Sequence, residues 1–119
     1  GFGQYIRVPA GWVIKRPEGL SLRDSMVLGT AGLTAALCID KLEQAGLTPG
    51  QGPVLVTGAT GGVGSIAVAM LSSLGYEVAA ATGKALQADM LTRLGASQIV
   101  DRTALQSGTE NILLERLEE

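Results

Sequence analysis

A cluster of glycines is the part of this sequence whose residue types and spacing best suit chemistry. The segment VLVTGATGGVGS places Gly58, Gly61 and Gly64 at intervals of three residues, with Gly62 between them, after the apolar run Val54–Val56. A phosphate bound between a strand end and a helix start needs backbone N–H groups directed at it and no obstructing side chains. The positive end of the helix dipole adds attraction. The segment therefore predicts a dinucleotide pyrophosphate site.

The spacing alone is a weak signal, because the letters differ from the usual G-x-G-x-x-G pattern. A strand–turn–helix corner that uses glycine only for tight packing fits the same residues. The binding interpretation is favoured by the predicted strand before the loop, the predicted helix after it and a second strand–helix unit beyond.

The residues at the end of the second strand, about 20 positions beyond the glycines, predict whether NAD or NADP binds. An acidic residue there would hold the ribose of NAD. Thr82, Gly83 and Lys84 stand there instead. A lysine, a hydroxyl and open backbone suit the additional phosphate of NADP, although Lys84 also fits a solvated turn. Arg102 is assigned no role, because beside Asp101 it is typical of a surface turn.

The hydrophobic pattern around the loop predicts alternating strands and helices. We expect strands at 54–56, 78–81 and 99–100, the first covered on both faces, and helices at 63–74 and 86–94 that end at Gly75 and Gly95. Short connections in the order β-α-β-α-β imply parallel strands joined by right-handed crossovers. This α/β pattern is the first half of a Rossmann-type doubly wound sheet, with exposed apolar surface where the sheet is incomplete.

Upstream of the loop, Ser21 and Asp24 have capping-box spacing and start a short helix at Leu22. The next segment, GTAGLTAALCIDKLEQAG, predicts an amphipathic helix that ends at Gly46. Its apolar stripe includes Cys38, which we therefore expect to be packed rather than reactive. Residues 3–14 mix β-forming residues with Pro9 and Gly11, and predict a short, interrupted β segment.

Composition restricts the function further. The 119 residues fit one compact domain, and a net charge of −2 without a basic stripe argues against nucleic acid or an anionic membrane as partner. With no histidine and one cysteine, a classical zinc site and an internal disulfide are excluded. We expect no stretch long enough to cross a bilayer and no signal peptide, which predicts a cytoplasmic protein. The charged run 110–119 suggests that the chain is a fragment.

Several separated motifs carry a family resemblance. By the glycine loop, GTAGLTAALCIDKLE and LGASQIVD, residues 1–101 resemble the zinc-free quinone oxidoreductase branch of the medium-chain dehydrogenase/reductase superfamily. Within that branch the chain is most similar to the acrylyl-CoA reductase group, judged by GTAGLTAALCIDKLE, VTGATGGVGS and the basic turn at Thr82 to Lys84. The resemblance implies that residues 1–18 are the tail of a GroES-like β domain and that 19–119 are a partial NADP-binding Rossmann domain. The family pattern breaks after Ala104.

The resemblance also implies roles for individual residues. Thr34 borders the nicotinamide, and Thr30 either lies near it or only caps and packs the helix. Gly58 and Gly64 shape the loop. The remaining ligand positions are Thr60, Gly61, Gly62 and Val63 for the pyrophosphate, and Thr82, Gly83 and Lys84 for the 2′-phosphate. Catalytic residues are not assigned, and no metal is implied.

The function implied is reduction of a small molecule, a quinone or an enoyl thioester such as acrylyl-CoA, with hydride from NADPH. The resemblance also suggests a homodimer. We expect little activity from the segment alone. A short-chain dehydrogenase/reductase fragment is an alternative, but that family has its loop near the chain start and uses a Tyr-x-x-x-Lys pair, which neither Tyr5 nor Tyr76 forms. A non-catalytic NADP-binding sensor or scaffold remains a second alternative.

Overall fold

The computed structural model describes residues 3–107 as a parallel sheet with helices packed on it. The strand order is β1-β2-β3, which confirms the predicted α/β class and the β-α-β-α-β order. In chain order the elements are a 3-10 helix Ala10–Trp12, α1 Leu22–Gln44, β1 Val54–Val56, α2 Gly62–Ser73, β2 Val78–Thr82, a 3-10 helix Ala85–Gln87, α3 Ala88–Arg93, β3 Gln98–Asp101 and α4 Arg102–Ser107. The charged run 110–119 lies outside the described residues.

The core lies on one face of the central strand β2. Leu71 of α2 and Leu91 of α3 are fully buried in one cluster with Val78 and Ala80 of β2. Alternate residues of a strand point to the same face, so both crossover helices pack on one side of the sheet. This arrangement follows from two successive right-handed crossovers in the same direction.

The prediction that β1 is covered on both faces is wrong in part. Val54 and Val56 are half-buried toward the helices, whereas Leu55 between them is 42% exposed. Within residues 3–107, β1 is an edge strand that pairs with β2, and the face that carries Leu55 is open to solvent. The exposed apolar surface expected of a half-built sheet is therefore present.

The predicted start of α1 is confirmed by its cap. The backbone N–H of Asp24 donates to Ser21 Oγ at 3.0 Å, and the Ser21 hydroxyl donates to the Asp24 carboxylate at 2.6 Å. Gly29, with φ 47° and ψ −150°, then breaks the helical path and separates the short first helix from the longer one. A positive φ of this kind favours glycine, because it has no Cβ.

The predicted environment of Cys38 is wrong. Ala35 and Ile39 are buried as expected, but Cys38 is exposed and Leu42 is 44% exposed. The apolar face of α1 is wider than the surface that α2 covers, so only the residues at the centre of that face are buried in this chain.

The expectation that no stretch reaches membrane-spanning length also needs correction. By length and composition alone, α1 is long and apolar enough to cross a bilayer. The break at Gly29 divides this length, and the part at 30–44 is shorter than the about 20 residues that a spanning helix needs. The apparent span is therefore two helices joined at a glycine.

The β segment predicted for residues 3–14 is absent. This part of the chain bends at Gly3 and Gln4 and has a 3-10 turn at Ala10–Trp12, and its apolar side chains are open: Tyr5 is 96% and Ile14 88% exposed. A strand requires a partner for its backbone N–H and C=O groups. No neighbouring strand in the described residues provides one.

Tyr76 joins the end of α1 to the start of β2. Its buried ring lies in the core, while its hydroxyl donates to Glu43 Oε1 at 2.9 Å and lies 3.3 Å from the Leu47 carbonyl oxygen. Burial, followed by the hydrogen bond to Glu43 and the negative charge of Glu43, raises the pKa of Tyr76 above its ordinary value.

This shift predicts a loss of stability at alkaline pH. A raised pKa in the folded state means that the unfolded chain releases the phenolic proton first, so stability should fall as pH rises above about 10. A Tyr5→Phe variant leaves Tyr76 as the sole tyrosine. Spectrophotometric titration of this variant should give a phenol pKa above about 10 in the folded chain and a pKa of about 10 in denaturant. Equal midpoints in both states would contradict the hydrogen-bonded arrangement.

Candidate functional site

The loop between β1 and α2 is held by backbone contacts that depend on glycine. Gly58 adopts φ 59°, and the Gly61 N–H donates to the Gly58 carbonyl oxygen at 2.9 Å, which closes the turn. The Ala59 N–H donates to the Ala81 carbonyl oxygen at 3.2 Å. The loop is therefore fixed to β2 as well as to its own strand.

Gly64 allows the first turn of α2 to pack directly on this loop. A Cβ at Gly64 would overlap the Gly58 carbonyl oxygen and lie 2.8 Å from Ala59 Cα. Because these are backbone atoms, no side-chain rotation relieves the overlap. The predicted turn-shaping roles of Gly58 and Gly64 agree with this geometry.

The start of α2 offers uncapped backbone donors. Its N-cap, Gly61, provides no side-chain hydrogen bond, and the first helical bond runs from the Ser65 N–H to the Gly61 carbonyl oxygen. The amides of Gly62 and Val63 precede that bond and have no acceptor within the helix. Gly61, Gly62 and Val63 are exposed. An anion placed here meets both free N–H groups and the helix dipole.

Thr60 and Thr34 lie at the border of the loop. Thr60 is half-buried in the turn before α2. The Thr34 hydroxyl donates to the Thr30 carbonyl oxygen at 2.8 Å, and a Cβ at Gly62 would lie 3.6 Å from Ala31 Cβ. Since Ala31 and Thr34 are three residues apart on one helix, Thr34 lies about one helical turn from the loop.

The second predicted phosphate position lies at the same edge of the sheet. Thr82 ends β2 and is buried, and its Oγ1 accepts a hydrogen bond from the Lys84 N–H at 3.0 Å. Gly83 and Lys84 are exposed. The strands are parallel, so their carboxyl ends bring this turn and the glycine loop to one edge.

Sequence reasoning missed the position of Arg102. A Cβ built at Gly83 would lie 3.3 Å from Nε and Nη2 of Arg102, so this guanidinium lies beside the turn. The register explains the contact: Thr82 pairs with Asp101, and Gly83 and Arg102 directly follow these two paired strand ends. Only the strand register, which local sequence does not provide, would have revealed this neighbour.

Asp101 accepts hydrogen bonds from the start of α4. Its Oδ1 accepts from the Thr103 N–H at 2.8 Å and from the Thr103 hydroxyl at 2.7 Å. These hydrogen bonds, with a smaller effect of the Arg102 charge, hold the pKa of Asp101 below its ordinary value. The carboxylate is therefore ionised and occupied at neutral pH.

Comparisons with known proteins agree with this geometry. No protein-family model matches the sequence. Over 102 residues the chain is 60% identical to the acrylyl-CoA reductase AcuI of Ruegeria pomeroyi. The match covers 86% of this chain and 31% of that enzyme. The matched segment therefore spans about a third of the length of that enzyme.

Solved structures show the same relationship. Bacillus subtilis yhfP with NAD bound shares 55% identity at a TM-score of 0.82, covering 86% of this chain and 31% of that one. The quinone oxidoreductase of Thermus thermophilus, which was also solved with NADPH, shares 31% identity at a TM-score of 0.67, with 84% and 32% covered. Both matches cover more than four fifths of this chain.

The Gly64 contact predicts a steric effect that can be measured. Gly64→Ala should destabilise the chain by about 1–3 kcal/mol, because its methyl group forces the helix away from the loop. Gly62→Ala is a matched control, since its methyl group meets only ordinary contact distances. Urea unfolding should separate the two variants; equal stability would contradict the close approach of α2 to Gly58.

Proposed function

The chain belongs to the medium-chain dehydrogenase/reductase superfamily, in its zinc-free quinone oxidoreductase branch, and on this premise we propose that it is the cofactor-binding part of an NADPH-dependent oxidoreductase. The observation that carries the proposal is the uncapped start of α2, where glycines expose the Gly62 and Val63 amides at the carboxyl edge of the sheet. This is the environment that a dinucleotide pyrophosphate requires.

The pyrophosphate is assigned to the loop between β1 and α2. Gly58 and Gly64 fix the turn, while the backbone of Thr60, Gly61, Gly62 and Val63 faces the anion. The absence of side chains at Gly61 and Gly62 keeps the approach open. No cation is needed at this point, because the donors are peptide groups at a helix terminus.

The 2′-phosphate of NADP is assigned to Thr82, Gly83 and Lys84. Thr82 occupies the position where a ribose-binding carboxylate would select NAD, and its buried oxygen instead holds the backbone of Lys84. The Lys84 ammonium is exposed at this turn and has the charge that the phosphate requires. A relative with NAD bound makes cofactor preference the property to test.

The nicotinamide is assigned to the neighbourhood of Thr34. The Thr34 hydroxyl donates a hydrogen bond to the Thr30 carbonyl oxygen, which leaves the hydroxyl lone pairs as acceptors for an amide N–H. Thr34 therefore orients the ring rather than supplying a proton. Thr30, whose carbonyl oxygen accepts this hydrogen bond, acts by fixing the rotamer of Thr34.

The proposed reaction is hydride reduction of a small molecule with a conjugated carbonyl, a quinone or an enoyl thioester such as acrylyl-CoA. NADPH supplies the hydride when bound, so this chain needs to position the cofactor rather than to provide a nucleophile. We assign residues 1–18 to the tail of a GroES-like domain and 19–119 to part of the Rossmann domain. Substrate pockets commonly form between two domains, and we expect little turnover from this segment alone.

Two alternatives make different predictions. The short-chain dehydrogenase interpretation is not favoured by the relatives that match this chain. A non-catalytic NADP sensor would bind the cofactor with the same residues, and a longer protein containing this chain would then fail to oxidise NADPH in the presence of an activated alkene or quinone. Oxidation of NADPH by that protein supports the enzyme.

Cofactor binding tests the assigned site in the chain itself. Titration with NADPH and NADH, followed by cofactor fluorescence, should show tighter binding of NADPH. Lys84→Ala should weaken NADPH binding about tenfold and leave NADH binding unchanged, because one charge-assisted contact is lost. Gly61→Ala should weaken both cofactors, since its methyl group stands at the helix terminus.

Lys41→Ala removes an exposed lysine far along α1 from the loop and is the matched control for charge. A Lys84→Ala variant that loses affinity for NADH and NADPH equally would contradict the assignment of the turn. A chain that is folded by circular dichroism and binds neither cofactor would contradict the pyrophosphate assignment as well.

A further inference from the structure

We propose that the apolar groove between α2, α3 and the start of α1 is a docking surface for this chain's own segment 108–119. The inference goes beyond the proposed function, because the groove uses none of the residues assigned to the cofactor. Three observations support it: the open apolar lining of the groove, the arginines at its border, and the residue pattern and reach of the segment.

The groove is a continuous apolar surface shared by three helices. Its volume is about 640 Å³, and six of its lining side chains are Val27, Leu28, Ile66, Met70, Met90 and Leu94. Val27 is 67% exposed and Met90 38%, and no other element within residues 3–107 covers them. Contiguous exposed apolar surface of this kind marks a place where another segment or molecule binds.

Two arginines border the groove. Arg23 lies one helical turn before the lining part of α1, and Arg93 lies in the last turn of α3. Both are exposed, and neither makes an ion pair within residues 3–107. The nearby acids have other roles, since Asp24 accepts a hydrogen bond from Ser21 and Asp89 lies in the first turn of α3, where the helix dipole stabilises it. The two guanidinium groups are therefore available to carboxylates of an occupant.

The segment GTENILLERLEE at 108–119 complements this surface in its sequence. At helical spacing Leu113, Leu114 and Leu117 share one face, with the acidic Glu118 at its border. A helix this short is not stable by itself in water. Its apolar face therefore requires a surface to pack against, and its acidic residues match the arginines of the groove.

The segment also has the reach that docking requires. The edge strand β3 contacts both α3 and α4, and α4 ends at Ser107. The four residues 108–111 span about 13 Å when extended, whereas a helix with its side chains is about 10–12 Å wide. This linker can therefore cross α3 from the side of β3 and bring the leucines to the groove.

Methionine signals provide the test. Of the three methionines, Met70 and Met90 line the groove and Met26 does not. Nuclear magnetic resonance spectra of the 119-residue chain, labelled at its methionine methyl groups, are compared with those of Leu117→Asp. We expect the added charge to displace the segment, which should move the Met70 and Met90 signals and leave the Met26 signal in place.

The matched control is Ile112→Asp. It makes the same kind of change in the same segment, but at helical spacing Ile112 lies on the side opposite the three leucines. It should leave all the methionine signals unchanged. Circular dichroism verifies that both variants are folded, and the variants Met70→Leu and Met90→Leu assign the two groove signals.

The outcomes distinguish the possible occupants. Unchanged Met70 and Met90 signals in folded Leu117→Asp, or equal effects of Leu117→Asp and Ile112→Asp, overturn the proposal. Sedimentation that shows a dimer, with groove signals that change on dilution, assigns the groove to a second copy and also overturns docking within one chain. Displaced groove signals in a chain that remains a monomer support it. Each of these results leaves the assignment of the cofactor site untouched.

Discussion

The contact between the first turn of α2 and the Gly58 carbonyl oxygen is the constraint on which the candidate site depends. It requires a residue without a Cβ at position 64, and it brings the helix start onto a turn that itself needs a positive φ at Gly58. With both conditions met, the amides of Gly62 and Val63 face outward and remain uncapped. Close packing on the loop, rather than a side-chain cap, fixes the direction of α2. The backbone N–H groups at its start are therefore free for a ligand.

The parallel register extends this arrangement from one loop to one edge. The hydrogen bond from Ala59 to Ala81 connects the glycine loop to the central strand, and the pairing of Thr82 with Asp101 connects the central strand to Arg102. Each link is a backbone contact between strands that end on the same side. The candidate phosphate positions consequently form one surface although their residues lie far apart in sequence.

The apolar surfaces of the sheet and helices are covered on one side and open on the other. The helices cover one face of the sheet well, with Leu71 and Leu91 excluded from solvent. Leu55 and the outer sides of α1 are open. The chain spans about a third of the length of the acrylyl-CoA reductase that it matches.

The sequence by itself determined the features of this protein that depend on local interactions. Several features depend on residues a few positions apart, whose types and spacing are visible in the sequence. They are the capping box at Ser21, the break at Gly29, the strand–loop–helix unit around Gly58 to Gly64 and the glycine stops at Gly75 and Gly95. The alternation of strands and helices then restricted the topology to a parallel sheet.

Only the tertiary structure decided which residues become neighbours and which faces are covered. Arg102 lies beside Gly83 because of the strand register, which the surface-turn pattern of Asp101 and Arg102 does not show. Cys38 is exposed because periodicity shows that a helix face is apolar but not whether another element covers it. Residues 3–14 have β-forming side chains but no paired strand. Register, coverage and strand pairing are long-range properties, set by how the whole chain closes its backbone hydrogen bonds and excludes water from its core.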